Sequence, residues 1–291
     1  MGVSLVVTSG KGGVGKTTTS ANIATALALQ GKRVVMLDLD IGLRNLDVVL
    51  GLSNRIIYDI VDVATGRAKL HQALVKDKRF DDLLYMLPAA QNAEKDSVQP
   101  EQVRDIVAAL RDEFDFIILD SPAGIEQGFR NAVIGADGAI VVTTPEISAV
   151  SDADRVVGLL EQHDMVYPPR LIINRIREHM MADGRSMDVT EITQHLGIDL
   201  LGIVVDDDEV IASSNRGETV VMNPDDPASQ GYRNIARRLL GESVPLMNIE
   251  QKKSRLLGKI ISPAGLTTNE FMIRVSDNTK SVEWNRDAEL V

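Results

Sequence analysis

The residues best suited to chemistry lie in one short loop, Gly10-Lys11-Gly12-Gly13-Val14-Gly15-Lys16-Thr17-Thr18. The spacing G-x-x-x-x-G-K-[ST] places backbone N–H groups around a polyphosphate, with Lys16 reaching the terminal phosphates and the Thr17 hydroxyl meeting Mg²⁺. A helix beginning at about Thr17 would aim its unsatisfied N–H groups and positive dipole end at the same anion. A glycine-rich turn with a chance lysine would give the same letters, but an apolar run precedes this loop and an alanine-rich helical stretch follows it, as a phosphate cradle requires. Three carboxylates complete the candidate site. Asp38 and Asp40 end one apolar run, and Asp120 ends another, Phe116-Ile117-Ile118-Leu119. Asp120 is placed to hold Mg²⁺ through a coordinated water. Asp38 is either a second metal-site carboxylate or a turn cap, and Asp40 opens an irregular stretch where a functional acid is expected.

These groups need a frame that gathers strand ends. Short β-branched runs (Ser4–Thr8, Arg33–Leu39, Leu83–Leu87, Phe116–Leu119, Ala139–Thr143, Leu171–Ile173, Leu200–Val205) alternate with helical stretches. Such alternation indicates an α/β fold, a doubly wound, mostly parallel sheet with helices on both faces. Ligands of such sheets sit at the carboxyl ends of the strands, where the loop and the acids fall. The first helix is expected over about Thr17–Gln30 with Gly31 closing it. After Val141-Val142-Thr143-Thr144-Pro145-Glu146, either Ser148 or Ser151 is expected to cap the next helix, with early acids suiting its dipole.

Composition narrows the function. The chain has 291 residues, enough for one large core. Thirty-one basic against forty-two acidic residues give a net charge of −11, which opposes non-specific binding to nucleic acid. No cysteine is present, so disulfides and thiolate-held clusters or zinc sites are excluded. The four histidines, His71, His163, His179 and His195, share no metal-ligand spacing and read as structural or exposed. No signal peptide or membrane span is visible, which leads to a cytoplasmic expectation.

The loop K-G-G-V-G-K-T-T resembles that of the deviant Walker A, or signature-lysine, ATPases, a P-loop NTPase group that includes the MinD and ParA families. The stretch Asp38-Leu39-Asp40-Ile41-Gly42-Leu43-Arg44-Asn45-Leu46-Asp47 is much closer to the first switch of MinD than to that of ParA. The resemblance implies ATP and Mg²⁺ as ligands, hydrolysis to ADP and phosphate, and a homodimer in which Lys11 reaches the partner's nucleotide. It assigns catalytic work to Lys11, Lys16 and Asp40, with Asp40 orienting the attacking water. In Ser121-Pro122-Ala123-Gly124, similar to the second switch, Gly124 would offer a backbone N–H to the γ-phosphate. Asn174 would read adenine with Arg175 beside it, since a side-chain amide can donate and accept at once. Val205 stands where the family usually has proline, which weakens expected packing on that side of the base. Arg44, Asn45, Asp152 and Asp154 match positions of a partner-binding surface.

The globular part is expected to close with a helix over about Pro227–Gly241, giving an ATPase domain of residues 1–244. A linker and basic amphipathic helix follow over 245–261, and an atypical tail over 262–291. On a helix, Leu256, Leu257, Ile260 and Ile261 share a face, while Lys252, Lys253, Arg255 and Lys259 carry positive charge. A surface helix packed on the domain would show the same pattern. MinD proteins carry a membrane-binding helix at this place, so the resemblance implies a peripheral contact with the anionic cytoplasmic face of the cell membrane. It further implies division-site placement with a MinC-type inhibitor and a MinE-type activator as partners. A flagellar-placement relative and a ParA-like DNA-partition ATPase are the alternative readings, and the acidic balance makes specific DNA binding the weaker of them.

Overall fold

The structure, a computed structural model, describes residues 1–125 and 127–247. Eight strands are present among them: β1 (Val3–Thr8), β2 (Val34–Asp38), β3 (Val75–Lys76), β4 (Leu84–Leu87), β5 (Phe116–Asp120), β6 (Gly138–Thr143), β7 (Arg170–Ile176) and β8 (Asp199–Val205). The helices are α1 (Lys16–Leu29), α2 (Leu46–Val49), α3 (Ile60–Ala64), α4 (Leu70–Ala73), α5 (Pro100–Leu110), α6 (Gln127–Ile134), α7 (Ile147–Leu160), α8 (Glu178–Ala182), α9 (Val189–Leu196), α10 (Asp208–Asn215) and α11 (Pro227–Leu239). The strands form one sheet in the order β3-β4-β2-β5-β1-β6-β7-β8, parallel throughout except for the β3–β4 pair.

The central strands are buried on both faces, which is why they read as unbroken apolar runs. Alternate residues along each strand feed opposite cores. Leu5, Val7, Met36 and Ile118 meet Ile23, Leu27, Tyr232 and Leu239 of α1 and α11 on one face. Val6, Val35, Ile117 and Leu119 meet Val103, Ile106, Val150 and Val156 of α5 and α7 on the other. This is the doubly wound arrangement expected from the alternation of runs.

Local differences have local causes. β3 is a two-residue antiparallel edge strand, too short to leave a periodic signature. α7 begins at Ile147 with Glu146 as its cap residue and no side-chain capping bond, and no acid occupies its first turn. Ser148 and Ser151 therefore lie inside the helix rather than at its cap. α11 starts where expected, with Pro227 in its first turn and the Asp226 carboxylate accepting from Ser229 N at 3.0 Å. Its Arg238 donates to the carbonyls of Leu201, Val244 and Pro245 at 2.9, 3.0 and 2.8 Å, so the chain stays on the domain just past the expected boundary at 244. The basic segment with Lys252, Lys253, Arg255, Leu256, Leu257, Lys259, Ile260 and Ile261 lies outside the described residues, as does the tail 262–291. No described helix is long and apolar enough to cross a membrane.

Candidate nucleotide site

β1, β2 and β5 lie side by side, and their register sets the chemistry. Val7 pairs with Asp120, and Asp38 pairs with Asp120 across the adjacent parallel strand, so two terminal carboxylates stand together next to the loop that leaves β1. Both are about 1% exposed. Burial, then the neighbouring Asp120 charge, pushes the Asp38 carboxyl up to about 8. Burial likewise pushes Asp120 up to about 6, against hydroxyl hydrogen bonds from Ser20 and Thr17 and the positive charge of Lys16. Asp38 also accepts from the backbone N–H groups of Asp40 and Leu46, at 3.0 and 3.3 Å. That is the turn-capping alternative in atomic detail, since both bonds pin the stretch from Asp40 to Leu46 to the end of β2.

The loop itself is shaped by two close approaches. A Cβ on Gly10 would meet the Asp152 carbonyl oxygen at 2.0 Å, because α7 passes directly against the loop. Gly15 sits at φ 95°, where a Cβ would meet Asn174 Nδ2 at 2.4 Å. Gly15 is also the cap position of α1 and supplies no side-chain cap, and the first turn of α1 carries no acid. Its N-terminal donors are thus left for an anion rather than for the protein's own carboxylates. Lys16 begins α1 and is 8% exposed. Burial lowers its pKa, opposed by the charges of Asp120 and Asp40.

The donor set suits a magnesium phosphate. Among the described residues no group of three or more His, Asp or Glu side chains could hold a metal by itself. Thr17 and Asp120 nevertheless share a hydrogen bond beside an excess of buried negative charge, a hard-oxygen setting whose remaining ligands would come from phosphate and water. That excess also carries a stability consequence. A carboxyl whose folded pKa exceeds its unfolded value binds its proton more tightly in the folded state. The penalty from Asp120 is therefore absent below about pH 4 and complete above about pH 6. At about 1.4 kcal/mol per unit, removing it stabilises the nucleotide-free chain by about 2–3 kcal/mol. Asp120→Asn is expected to raise the nucleotide-free Tm at pH 8 by about 5 °C, with the gain lost near pH 4. Differential scanning calorimetry at both pH values checks this, and a lower Tm at pH 8 would mean that the Ser20 and Thr17 bonds outweigh the charge penalty.

Other sequence-selected residues fall around this centre. Asn174 is buried and donates through Nδ2 to the Val14 carbonyl at 2.8 Å, which turns its Oδ1 acceptor the other way. A cavity of about 330 Å³ opens beside it, lined by Gly15, Thr18, Val49, Asn174, Val205 and Val210 among others. Val205, the departure from the expected proline, therefore keeps an apolar wall there. Arg175 takes a left-handed backbone, φ 55°, and is exposed between this cavity and a larger one of about 930 Å³ that runs from Ile147 and Ser148 to Glu191 and His195. The larger cavity includes no residue of the phosphate loop.

The exposed Lys11 donates from Nζ to Ser148 Oγ at 2.8 Å, within its own chain. Gly124, at φ 88°, turns its N–H to the Ser9 carbonyl at 3.3 Å, so the amide expected at a phosphate bonds the start of the loop in this arrangement. Arg44 also has positive φ, 44°, and pairs with the buried Asp47 at 3.3 Å. Asn45 and Asp154 are exposed, while Asp152 is half-buried with Arg155 3.8 Å away.

Two participants escaped the motif reading. Ser20 donates to Asp120 Oδ1 at 2.8 Å in a buried bond. Its signal is present in the sequence, because it lies one helical turn beyond Lys16 on the same face. Lys95, from the loop before α5, faces Asp40 electrostatically, and no local pattern announces it.

Residues 5–220 match the family model described as the CobQ/CobB/MinD/ParA nucleotide binding domain. The chain is 65% identical over 266 residues to the septum site-determining protein MinD of Bacillus subtilis, covering 91% of this chain and 99% of that protein. Among solved structures it resembles the MinC:MinD cell division protein complex of Aquifex aeolicus, with a TM-score of 0.79 and 46% identity over 84% of this chain and 98% of that one. It also resembles MinD of Pyrococcus horikoshii complexed with Mg-ADP, with a TM-score of 0.74 and 29% identity over 81% of this chain and 95% of that one. The phosphate loop at the sheet's switch point, the paired strand-end acids and this degree of likeness place the chain in one family: it belongs to the MinD septum site-determining proteins, within the CobQ/CobB/MinD/ParA nucleotide-binding class.

Proposed function

We propose that the chain is an ATP-gated dimer whose output is membrane position, closing on ATP and Mg²⁺, docking on the membrane that bounds the division site, and releasing when ATP is hydrolysed. The observation that carries this reading is the buried Lys16 between Asp120 and Asp40 at the strand ends, with the second loop lysine, Lys11, exposed above it. Buried Lys16 serves the chain's own nucleotide. Among the described residues the Lys11 side chain is held by an exposed hydrogen bond to Ser148, so little opposes its reassignment to a nucleotide on a partner copy.

Each residue then has a task. Lys16 and the amides of Gly10–Thr18 hold the phosphates, and Thr17 with Asp120 faces the cation. Asp38 shapes the first switch. Asn174 presents Oδ1 to the adenine amino group, because its Nδ2 is already committed to Val14. Gly124 must give up Ser9 for a phosphate oxygen, which couples the second switch to the nucleotide. Mg²⁺ held there would supply neutralisation of the phosphate charge.

Residues 1–244 form the ATPase unit, 245–261 the linker and membrane segment, and 262–291 an appended tail. Four cations at about 1 kcal/mol each on an anionic leaflet, less ordering costs, leave one segment weakly attached. Two segments on one dimer gain about 10²–10⁴ in avidity. A MinC-type inhibitor is the expected partner, supported by the likeness to the Aquifex aeolicus MinC:MinD complex, and a MinE-type activator would speed release. Arg44, Asn45, Asp152 and Asp154 are candidates for these contacts.

Sedimentation with anionic liposomes, with ATP and with ADP, tests the proposal on the full chain, on a chain ending at Ile261 and on one ending at Asn248. The two longer chains are expected to pellet with ATP only, and the shortest not to pellet while still binding ATP. ATP-dependent pelleting with DNA and none with lipid would overturn it in favour of a DNA matrix.

A further inference from the structure

Behind the cavity beside Asn174 lies a clamp that the phosphate chemistry does not use. Two of the elements lining the cavity are α2, through Val49, and α10, through Val210, Ile211, Ser214 and Asn215. Leu50 follows Val49 directly and Gly217 follows Asn215 by two residues. Their carbonyls accept from one guanidinium: Arg79 Nη2 donates to Leu50 O at 2.6 Å, and Arg79 Nη1 donates to Gly217 O at 2.9 Å. Arg79 is itself locked. Its Nε lies 3.0 and 3.1 Å from the two oxygens of Asp77, and Nη2 lies 2.7 Å from Oδ2. Asp77 is about 1% exposed and also accepts from Arg79 N at 3.0 Å.

The two walls touch at this point. Gly51 and Gly217 both have left-handed backbones, φ 66° and 71°, and a Cβ on Gly217 would lie 2.7 Å from Gly51 Cα. The approach leaves no room for a side chain at either glycine, and a planar fork with fixed donors bridges the two segments. Val49 and the α10 residues line the cavity together, so whatever fixes α2 against α10 bounds the cavity on that side.

We propose that Arg79, held by Asp77, is a positioning residue that clamps α2 to α10 and thereby sets how large a nucleobase the site accepts. The inference rests on the reading that adenine occupies this cavity. A lysine at position 79 could not replace the arginine, because one ammonium on a flexible stem cannot span both carbonyls while staying on Asp77.

Isothermal titration of the full chain with ATP and with N6-benzyl-ATP, both with Mg²⁺, tests the clamp. The wild-type chain is expected to bind the enlarged nucleotide at least about tenfold more weakly, since the added ring would press on the apolar lining at Val49, Val205 and Val210. Equal binding of the two by wild type would remove adenine from the cavity, and the clamp's role with it. Arg79→Ala, Arg79→Lys and Gly217→Ala, the last wedging the walls apart without touching a charge, are each expected to weaken ATP binding and to shrink that discrimination at least threefold. General destabilisation would weaken both nucleotides in proportion. An unchanged ratio in a cooperatively folding Arg79 variant and in Gly217→Ala, beside normal wild-type discrimination, would overturn the clamp alone. Should the Arg79 variants fail to fold, the Gly217→Ala ratio decides by itself.

Discussion

Replacing Lys16 by alanine is expected to leave the chain folded and monomeric in the presence of ATP and Mg²⁺. Lys16 is the first residue of α1, is 8% exposed, and stands between the charges of Asp120 and Asp40. Burial lowers its pKa and the two acids oppose that, so its ammonium has strong local partners and a short reach to an anion at the head of α1. Without it a triphosphate would enter beside Asp38, Asp40 and Asp120 with no side-chain cation of its own subunit buried there. Breaking a buried charge pairing costs about 3–5 kcal/mol. At 1.4 kcal/mol per decade this is a loss of about 10²–4 × 10³ in nucleotide affinity. Light scattering of the eluting chain, with ATP and with ADP, reads the oligomer directly. A cooperative thermal transition without nucleotide establishes that the variant is folded, and an ATP-dependent dimer at wild-type nucleotide concentrations would remove Lys16 from its role.

What could be read from the residues, and what could not, follows from the range of the interactions. β1, β2, β5 and β6 are buried on both faces, so each announced itself as an uninterrupted apolar run. The phosphate loop and the acids ending β2 and β5 were legible because their spacing is local and their position after a strand is dictated by the fold. β3 was not legible, since two residues carry no period. The start of α7 differs from the expected cap for another reason. Ser148 and Ser151 are good caps in isolation, but the helix already begins at Ile147, after Glu146, whose carboxylate accepts from the Thr144 hydroxyl.

Long-range bonds are the remaining gap. Asn174 sits 160 residues from the Val14 carbonyl it supports, and Arg79 sits 138 residues from Gly217. No periodicity connects such pairs, because the sheet order brings them together only after folding. Gly124 illustrates a limit of another kind. Its type and φ suit a switch, yet which acceptor its N–H chooses depends on what stands nearby, and here that acceptor is Ser9.

Asp40→Asn is expected to separate binding from turnover. The Asp40 carboxyl is half-buried, and burial raises its pKa against the opposing charges of Lys16 and Lys95. Beside it, between the loops that follow β2 and β5, a small cavity of about 70 Å³ is lined by Asp40, Ile41, Lys95, Pro122, Ala123 and Phe129 among others. That volume has room for ordered water, and the polar groups of Asp40 and Lys95 suit one. A water held there by a carboxylate acceptor has its oxygen lone pair free to attack. An amide of the same size keeps the volume and the backbone bond from Asp40 N to Asp38, but offers a far weaker acceptor. Loss of a positioned proton acceptor is worth about 10²–10⁴ in rate. ATP affinity and the ATP-dependent dimer should survive, so the variant should stay on liposomes longer than wild type after ATP is added. Phosphate release at the wild-type rate in the variant would assign the attacking water to another group.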